Sequence, residues 1–134
     1  MVDNSAYNRL KFDSVRDRLE PLLRAQLVAT CGIIELEALY SAESKSNYEE
    51  IRGQRGAILT YLDTTEDDFQ WALTKQYELA KKAQHRGMKL PDLLLAAVAM
   101  RHNLTILHYD SDFDRLAQVT GQRVQWVVPR KSVP

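Results

Sequence analysis

The feature that most constrains the fold is the alternation of short apolar runs with longer segments of helical periodicity. Candidate strands occur at the N-terminus and at residues 27–30, 61–64, 105–109 and 124–128. Helical segments separate them, and a helix between two strands normally returns the chain so that the strands run parallel. The pattern therefore predicts an α/β domain whose mostly parallel sheet is covered by helices on both faces.

The first candidate strand is unusually short. Met1-Val2-Asp3 is too short for an independent strand unless it is inserted between two others, and Asn4-Ser5-Ala6 resembles a helix start. We therefore expect a short central strand at the N-terminus. The chain has 134 residues, which fits a single domain spanning residues 1–134.

The clearest predicted helix begins after Thr65, which suits the N-cap position and precedes the acidic first turn Glu66-Asp67-Asp68. Gly87 is its expected end. Its core-facing stripe is predicted to comprise Phe69, Leu73, Gln76, Tyr77, Ala80 and Ala83.

Charge and cysteine content limit the possible environments of the protein. The formal net charge is +0, which gives no overall attraction to nucleic acid or membrane. Cys31 is the single cysteine, and the N-terminus lacks the pattern of a secretory signal. The longest apolar run, Leu93 to Met100, is far shorter than the roughly 20 residues of a membrane span. We expect a cytoplasmic protein without a membrane partner.

Acidic residues follow two of the candidate strands. Asp3 ends the first and Asp110 follows residues 105–109, while Asp92 begins the apolar helix and Asp112 lies just beyond Asp110. Ligands of parallel sheets collect beyond the carboxyl ends of the strands. Several carboxylates in one cleft repel unless a divalent cation neutralises them, and oxygen ligands suit Mg²⁺ or Mn²⁺ better than zinc. The sequence predicts such a metal site, with these four residues as candidate ligands.

Each of these acids also has an ordinary structural interpretation. Asp92, Asp110 and Asp112 lie near helix starts, where Asp commonly caps the backbone. Asp3 could cap the helix at Ser5, although a carboxylate within a buried sheet is costly unless it is paired or metal-bound.

Four segments in this order resemble PIN-domain toxins of the VapC family. Asp3-Asn4-Ser5-Ala6 looks like their opening Asp-x-Ser-Ala, and Glu37-Ala38-Leu39-Tyr40-Ser41 is similar to their Glu-x-Leu-x-Gly segment. Pro91-Asp92 precedes a Leu/Ala-rich helix as their third acid does, and His108-Tyr109-Asp110-Ser111-Asp112-Phe113 matches their strand-end Asp-x-Asp-Phe. The resemblance covers nearly the whole chain, with Ser41 where many relatives have glycine.

The spacing of the third helical segment does not decide whether Glu35 or Glu37 is a site residue, and the resemblance favours Glu37. It implies a three-layer α/β/α PIN-like domain with about five strands and with Asp3, Glu37, Asp92 and Asp110 as catalytic acids. It further implies a ribonuclease that hydrolyses RNA through a Mg²⁺- or Mn²⁺-activated water, forms a homodimer and is neutralised by a VapB-like antitoxin. The expected substrate is a structured RNA such as tRNA or rRNA. We expect Ser5 to orient a carboxylate or to contact a phosphate.

RNA must reach an acidic cleft, which requires cations near its rim. Residues 75–89 contain five basic residues against one acid, and Lys82, Arg86 and Lys89 are the candidate RNA contacts. Arg9, Lys11 and the pair Arg130-Lys131 are further candidates, although such residues are often only solvated surface. Trp126 is expected in the core.

Three alternative functions fit parts of the pattern. A receiver-like signalling domain would also carry an acidic Mg²⁺ pocket, but the last candidate strand, residues 124–128, lacks the lysine expected there. A PIN-like module that binds without cleaving is disfavoured only because all four acids are present. A nuclease acting on DNA stays open, since metal-assisted attack on a phosphodiester makes no use of the sugar hydroxyl.

Overall fold

The computed structural model describes all residues from Met1 to Pro134. The elements follow in the order α1 (Asn4–Tyr7), α2 (Asp13–Arg24), β1 (Ala29–Cys31), α3 (Gly32–Tyr40), α4 (Lys45–Ile58), β2 (Thr60–Leu62), α5 (Glu66–Ala80), a 3₁₀ turn (His85–Gly87), α6 (Leu90–Arg101), β3 (Ile106–His108), α7 (Asp112–Thr120) and β4 (Val124–Trp126). The predicted alternation of strands and helices is confirmed. None of the helices combines the length and the apolar character needed to cross a bilayer.

The N-terminal segment joins two parallel strand pairs into one sheet. β1 pairs with β2, and β3 pairs with β4. Val2 lies between the pairs: it forms a parallel bridge with Leu107, and its backbone N–H donates to the carbonyl of Ala29 over 3.1 Å. The resulting order is β2-β1-N-terminal segment-β3-β4. The expected central insertion is therefore present. It is a bridging segment and not a full strand, and the four strands around it have three residues each.

The two faces of this sheet bury different side chains. Neighbouring residues of a strand point to opposite faces, and accordingly Ile106 packs in one hydrophobic cluster while Leu107 packs in the other. The first cluster includes residues of α3, α6 and α7, and the second includes residues of α1 and α2. Helices thus cover both faces, which is the predicted three-layer α/β/α arrangement.

Helix α5 begins as predicted but ends earlier. The Thr65 side chain accepts from the backbone N–H of Asp68, and the Asp68 carboxylate accepts from that of Thr65, which forms a capping box. The helix ends at Ala80, and Ala83 adopts a left-handed φ of 53°. Gly87 is therefore not the end of α5, because the chain has already left the helix before it.

The predicted core-facing stripe of α5 is wrong. Phe69, Leu73 and Tyr77 are 47%, 55% and 66% exposed. The buried side instead includes Asp68, which accepts hydrogen bonds from the Arg101 guanidinium of α6 at 2.9 and 3.0 Å. Apolar residues occur on more than one side of α5, and this ion pair helps to fix which side faces α6.

A second ion pair connects α3 to α4. The Arg55 side chain is 3% exposed, and its Nη2 lies 2.8 Å from Oε1 of Glu35, which also accepts a hydrogen bond from the Thr30 hydroxyl at 2.6 Å. Burial raises the pKa of Glu35, but the hydrogen bonds from Arg55 and Thr30, together with the charge of Arg55, outweigh it and hold the pKa below its usual range. The Arg55 guanidinium also lies 4.4 Å from the centre of the Tyr7 ring.

We predict that Arg55→Met lowers the free energy of unfolding by about 3 kcal/mol at pH 7, because Glu35 keeps a partly buried charge without its partner. The ion pair stabilises the fold above the unfolded pKa of Glu35 and is lost as the pH falls through the lower folded pKa. The difference in the free energy of unfolding between Arg55→Met and the wild type should therefore become smaller toward acidic pH. Urea unfolding at neutral and acidic pH measures it.

The matched control for this prediction is Arg52→Met, since Arg52 is exposed on the same helix. Equal destabilisation by the two substitutions, or a difference that does not change with pH, would contradict the role of the ion pair.

Candidate active site

Four carboxylates from four parts of the chain lie near one another beside the carboxyl ends of the central segments. Asp3 ends the N-terminal segment, and Asp110 follows the neighbouring strand β3; the backbone N–H of Asp3 donates to the carbonyl of Leu107 over 2.9 Å. Asp92 lies in the first turn of α6, and Glu37 lies on α3. The charges of Asp3, Asp110 and Glu37 all act on Asp92. We refer to Asp3, Glu37, Asp92 and Asp110 as the acidic cluster.

The electrostatics of the acidic cluster are unfavourable without a cation. Burial and the charge of Asp3 raise the pKa of Asp92 to about 7 against the lowering effect of Lys89, and Asp110 and Glu37 add smaller raising contributions. Burial and Asp3 likewise raise the pKa of Glu37, against hydrogen bonding from Asn4 and the charge of Lys89. Like charges held together in this way disfavour full ionisation. The cluster is therefore suited to binding positive charge.

The structure separates the environments of Glu35 and Glu37. Glu35 is occupied by Arg55 and Thr30. Glu37 lies within electrostatic reach of Asp3 and Asp92. Helical spacing left the choice between the two open and the family resemblance favoured Glu37, whose role as a site residue stays a prediction.

Asp3 and Ser5 both form structural contacts at this edge of the sheet. Oδ2 of Asp3 accepts from the backbone N–H of Ser5 at 2.8 Å and so caps α1. The Ser5 hydroxyl oxygen accepts from the backbone N–H of Tyr109 at 2.9 Å. Ser5 thus orients the Asp3 carboxylate through its backbone, while its hydroxyl holds the residue preceding Asp110.

Asp112 lies beside the acidic cluster in contact with Lys89. Oδ1 of Asp110 accepts from the backbone N–H of Asp112 at 2.9 Å. The Lys89 ammonium is 2.7 Å from Oδ2 of Asp112 and 3.5 Å from Oδ2 of Asp110, and this pairing raises the pKa of Lys89. The Lys89 ammonium thus lies between Asp112 and Asp110, at the rim of the acidic cluster, and is closer to Asp112.

The three candidate RNA-binding cations lie in different places. Lys89 contacts the acids directly. Lys82 lines a separate groove with Glu78 and Gln118, and Arg86 is exposed on the 3₁₀ turn. The three therefore do not form one cationic rim around the acidic cluster.

Asn4 belongs to the site, although sequence reasoning did not single it out. Its Nδ2 donates to the backbone carbonyl of Ile34 at 3.0 Å, and its side chain lowers the pKa of Glu37 by hydrogen bonding. Its Oδ1 is buried without a hydrogen-bond partner. Asn4 thus links the N-terminal segment to the helix that carries Glu37. Its position directly after Asp3 was the signal available in the sequence.

The acidic cluster fits a hard divalent cation by charge and by donor type. It offers carboxylate oxygens, and the nearby imidazole of His108 is buried in the core against Phe113 and Trp126. Oxygen donors of this kind are those preferred by Mg²⁺ and Mn²⁺. The carboxylates do not converge on a single point: no three His, Cys, Asp or Glu side chains form a group with metal-ligand geometry. The fit to a divalent cation is therefore one of charge and donor type, not of a preformed coordination geometry.

Sequence comparison relates the chain to PIN-domain proteins. The PIN domain family model matches residues 1–119. Ribonuclease VapC21 of Mycobacterium tuberculosis strain CDC 1551 is 41% identical over 128 residues, which cover 96% of this chain and 93% of that protein. Ribonuclease VapC51 of strain H37Rv is 40% identical over 133 residues, which cover 99% of this chain and 96% of that protein.

Solved structures support the same fold. VapBC2 from Rickettsia felis, bound to a DNA fragment from its promoter, contains a chain that matches with a TM-score of 0.77 at 18% identity, covering 93% of this chain and 96% of that one. DNA-bound VapBC from Salmonella typhimurium matches with a TM-score of 0.76 at 20% identity, covering 96% and 97%. Because the family model spans most of the sequence and the VapC relatives span nearly all of it, this chain belongs to the PIN-domain family and, within it, to the VapC ribonucleases.

Proposed function

We propose that this protein is a metal-dependent endoribonuclease toxin that hydrolyses RNA phosphodiester bonds and is neutralised by a VapB-like antitoxin in the cytoplasm. The acidic cluster is the observation that carries the proposal: Asp3 ends the segment that pairs with β3, β3 leads to Asp110, and the charges of Asp3, Asp110 and Glu37 all act on Asp92. Relatives named as VapC ribonucleases support RNA as the substrate, and solved neighbours described as VapBC support the antitoxin.

Asp3 and Asp110 would hold one or two Mg²⁺ or Mn²⁺ ions directly, with Asp92 and Glu37 acting partly through water. Such a cation, when bound, lowers the pKa of a water molecule and polarises the scissile phosphate. Asn4 holds the backbone of α3, the helix that carries Glu37, and Ser5 holds the backbone of the residue before Asp110. These contacts orient the carboxylates, a role whose loss typically costs roughly 10–100-fold in metal affinity or activity.

Lys89 and Asp112 have a separate role in this proposal. Lys89 is held at the rim of the acidic cluster by Asp112 and Asp110. Its ammonium is positioned to offset the negative charge that an approaching phosphate meets. Asp112, a candidate ligand by its position two residues after Asp110, would orient Lys89 in the absence of metal and supply a further carboxylate when a cation binds.

The first test is cleavage of structured RNA and of DNA by the purified protein with Mg²⁺, Mn²⁺ or EDTA. We predict metal-dependent cleavage of RNA and a loss of at least about 100-fold in Asp3→Asn, since a direct ligand should matter no less than the groups that orient it. The matched control is Asp17→Asn, an exposed carboxylate on α2, which should cleave like the wild type. Cleavage in EDTA, or full activity of Asp3→Asn, would refute the mechanism.

The second test measures metal binding without activity. Asp92→Asn removes a partly buried, repelled carboxylate, so we predict that it raises the melting temperature of the metal-free protein. It should also reduce the further rise that Mn²⁺ produces, because ligand binding to the folded state stabilises it. Differential scanning calorimetry with and without Mn²⁺ measures both effects. If Mn²⁺ raised the melting temperature of Asp92→Asn as much as that of the wild type, Asp92 would not be a metal ligand.

We also propose that the protein forms a homodimer through an exposed apolar patch, defined as Phe69, Leu73 and Tyr77 of α5 with Leu90 of α6. Phe69, Leu73 and Leu90 line one groove, and all four side chains are substantially exposed. Contiguous apolar surface of this kind commonly marks a protein contact. A second copy of the chain would cover it.

Light scattering after size-exclusion chromatography tests the dimer. We predict that Leu73→Glu is monomeric at concentrations where the wild type is dimeric, because a charge in an apolar interface opposes its burial. Leu27→Glu, at another exposed leucine, is the control and should behave as the wild type. A monomeric wild type, or a dimeric Leu73→Glu, would contradict this interface.

A further inference from the structure

A second concave surface adjoins Asp110 and is lined by a different set of side chains. This cavity, of about 480 Å³, is bordered by Arg9, Tyr109, Asp110, Trp126, Arg130 and Lys131. We call it the C-terminal pocket. It shares Asp110 with the acidic cluster, so a ligand in it lies directly beside the candidate metal site.

The charge of the C-terminal pocket is opposite to that of the acidic cluster. Three cations line it against the single carboxylate of Asp110. Arg130 and Lys131 are exposed and form no ion pair with any acidic residue of the chain. Their charges are therefore available to an anion that enters the pocket.

The segment that carries these cations is held in place. The Tyr109 hydroxyl donates to the carbonyl of Val133 at 2.8 Å and accepts from its backbone N–H at 3.0 Å. Arg9 donates from Nε to the carbonyl of Pro134 at 2.8 Å. Lys131 has a φ of 67°, a conformation that residues other than glycine adopt rarely. These hydrogen bonds keep Arg130 and Lys131 at the mouth of the pocket.

Aromatic rings form the wall of the pocket. The Trp126 and Tyr109 rings meet edge to face with centroids 5.3 Å apart, and the Trp126 Nε1 donates to Asp114 at 3.0 Å, which fixes the indole. The Arg130 guanidinium lies 5.8 Å from the Trp126 ring centre. Trp126 was expected in the core; it is only partly buried, and one side of it lines this cavity.

We propose that the C-terminal pocket binds the nucleotide next to the scissile phosphate, with Arg130 and Lys131 contacting its phosphate and Trp126 stacking on its base. The proposal rests on the ribonuclease function proposed above. Cations beside an aromatic ring match the two parts of a nucleotide, its phosphate and its base. An acidic protein segment would use the cations but would leave the indole without a matching group. The cations of the pocket also attract the RNA polyanion electrostatically, whereas the acidic cluster repels it.

The test uses the double variant Arg130→Gln/Lys131→Gln and the control Arg18→Gln/Lys45→Gln, which removes two exposed charges from helices α2 and α4. The probe is a short fluorescein-labelled single-stranded oligoribonucleotide in EDTA, and fluorescence anisotropy gives its affinity as a function of salt. We expect the pocket variant to bind roughly tenfold more weakly, and its salt slope to fall by about 0.7 for each phosphate that it no longer neutralises. The control should match the wild type.

Several results would overturn the proposal: no RNA binding by the wild type, equal affinities for the two double variants, or an effect of the pocket variant only on binding of a polyglutamate peptide. Inorganic phosphate that competes at the same concentration as the oligonucleotide would assign the pocket to a free anion and also overturn it. Trp126→Leu should weaken binding, and Trp126→Phe should restore most of it, because the phenyl ring still stacks.

Cleavage assays separate this proposal from the ribonuclease function. If the wild type does not cleave RNA but the pocket variant still binds RNA more weakly, RNA binding by the pocket stands, while its place beside a scissile phosphate fails together with the nuclease proposal. If the wild type cleaves and the pocket variant has the same KM, the pocket proposal alone fails.

Discussion

The insertion of the N-terminal segment into the sheet is the constraint on which the rest of the structure depends. Hydrogen bonds from Val2 to Ala29 and from Asp3 to Leu107 join two strand pairs that are otherwise separate sheets. The same hydrogen bonds set Asp3 beside the strand that leads to Asp110. Assembly of the sheet therefore also assembles the acidic cluster, and the candidate catalytic carboxylate of Asp3 lies at the carboxyl end of the central segment.

That arrangement places like charges close together in the acidic cluster, which is electrostatically unfavourable. Asp92 and Glu37 are held near Asp3 with their pKa values raised, and Lys89 offsets only part of the repulsion. The structural ion pairs show the contrast: burial would raise the carboxyl pKa of Glu35 and of Asp68, but a cationic partner holds each of them low. The fold thus neutralises its structural acids and leaves one group of acids short of positive charge.

Much of this arrangement could be predicted from local sequence. The alternation of strands and helices predicted the layers, and the short Met1-Val2-Asp3 run predicted the central insertion, because so short a strand is stable only between two others. Asp3 and Asp110 followed from the strand ends. Glu37 could not be distinguished from Glu35 by helical spacing, since that distinction depends on the long-range partner Arg55, twenty residues away from Glu35. The errors have the same origin: the ion pair between Asp68 and Arg101 is not visible in the local pattern of α5, and the contact of Asn4 reaches α3.

Anomalous diffraction from crystals grown with Mn²⁺ would locate the cation that the acidic cluster is proposed to bind. We predict a manganese peak within coordination distance of the carboxylates of Asp3 and Asp110. A well-ordered crystal with no peak there, or with its only peak away from the acidic cluster, would contradict the proposed metal site.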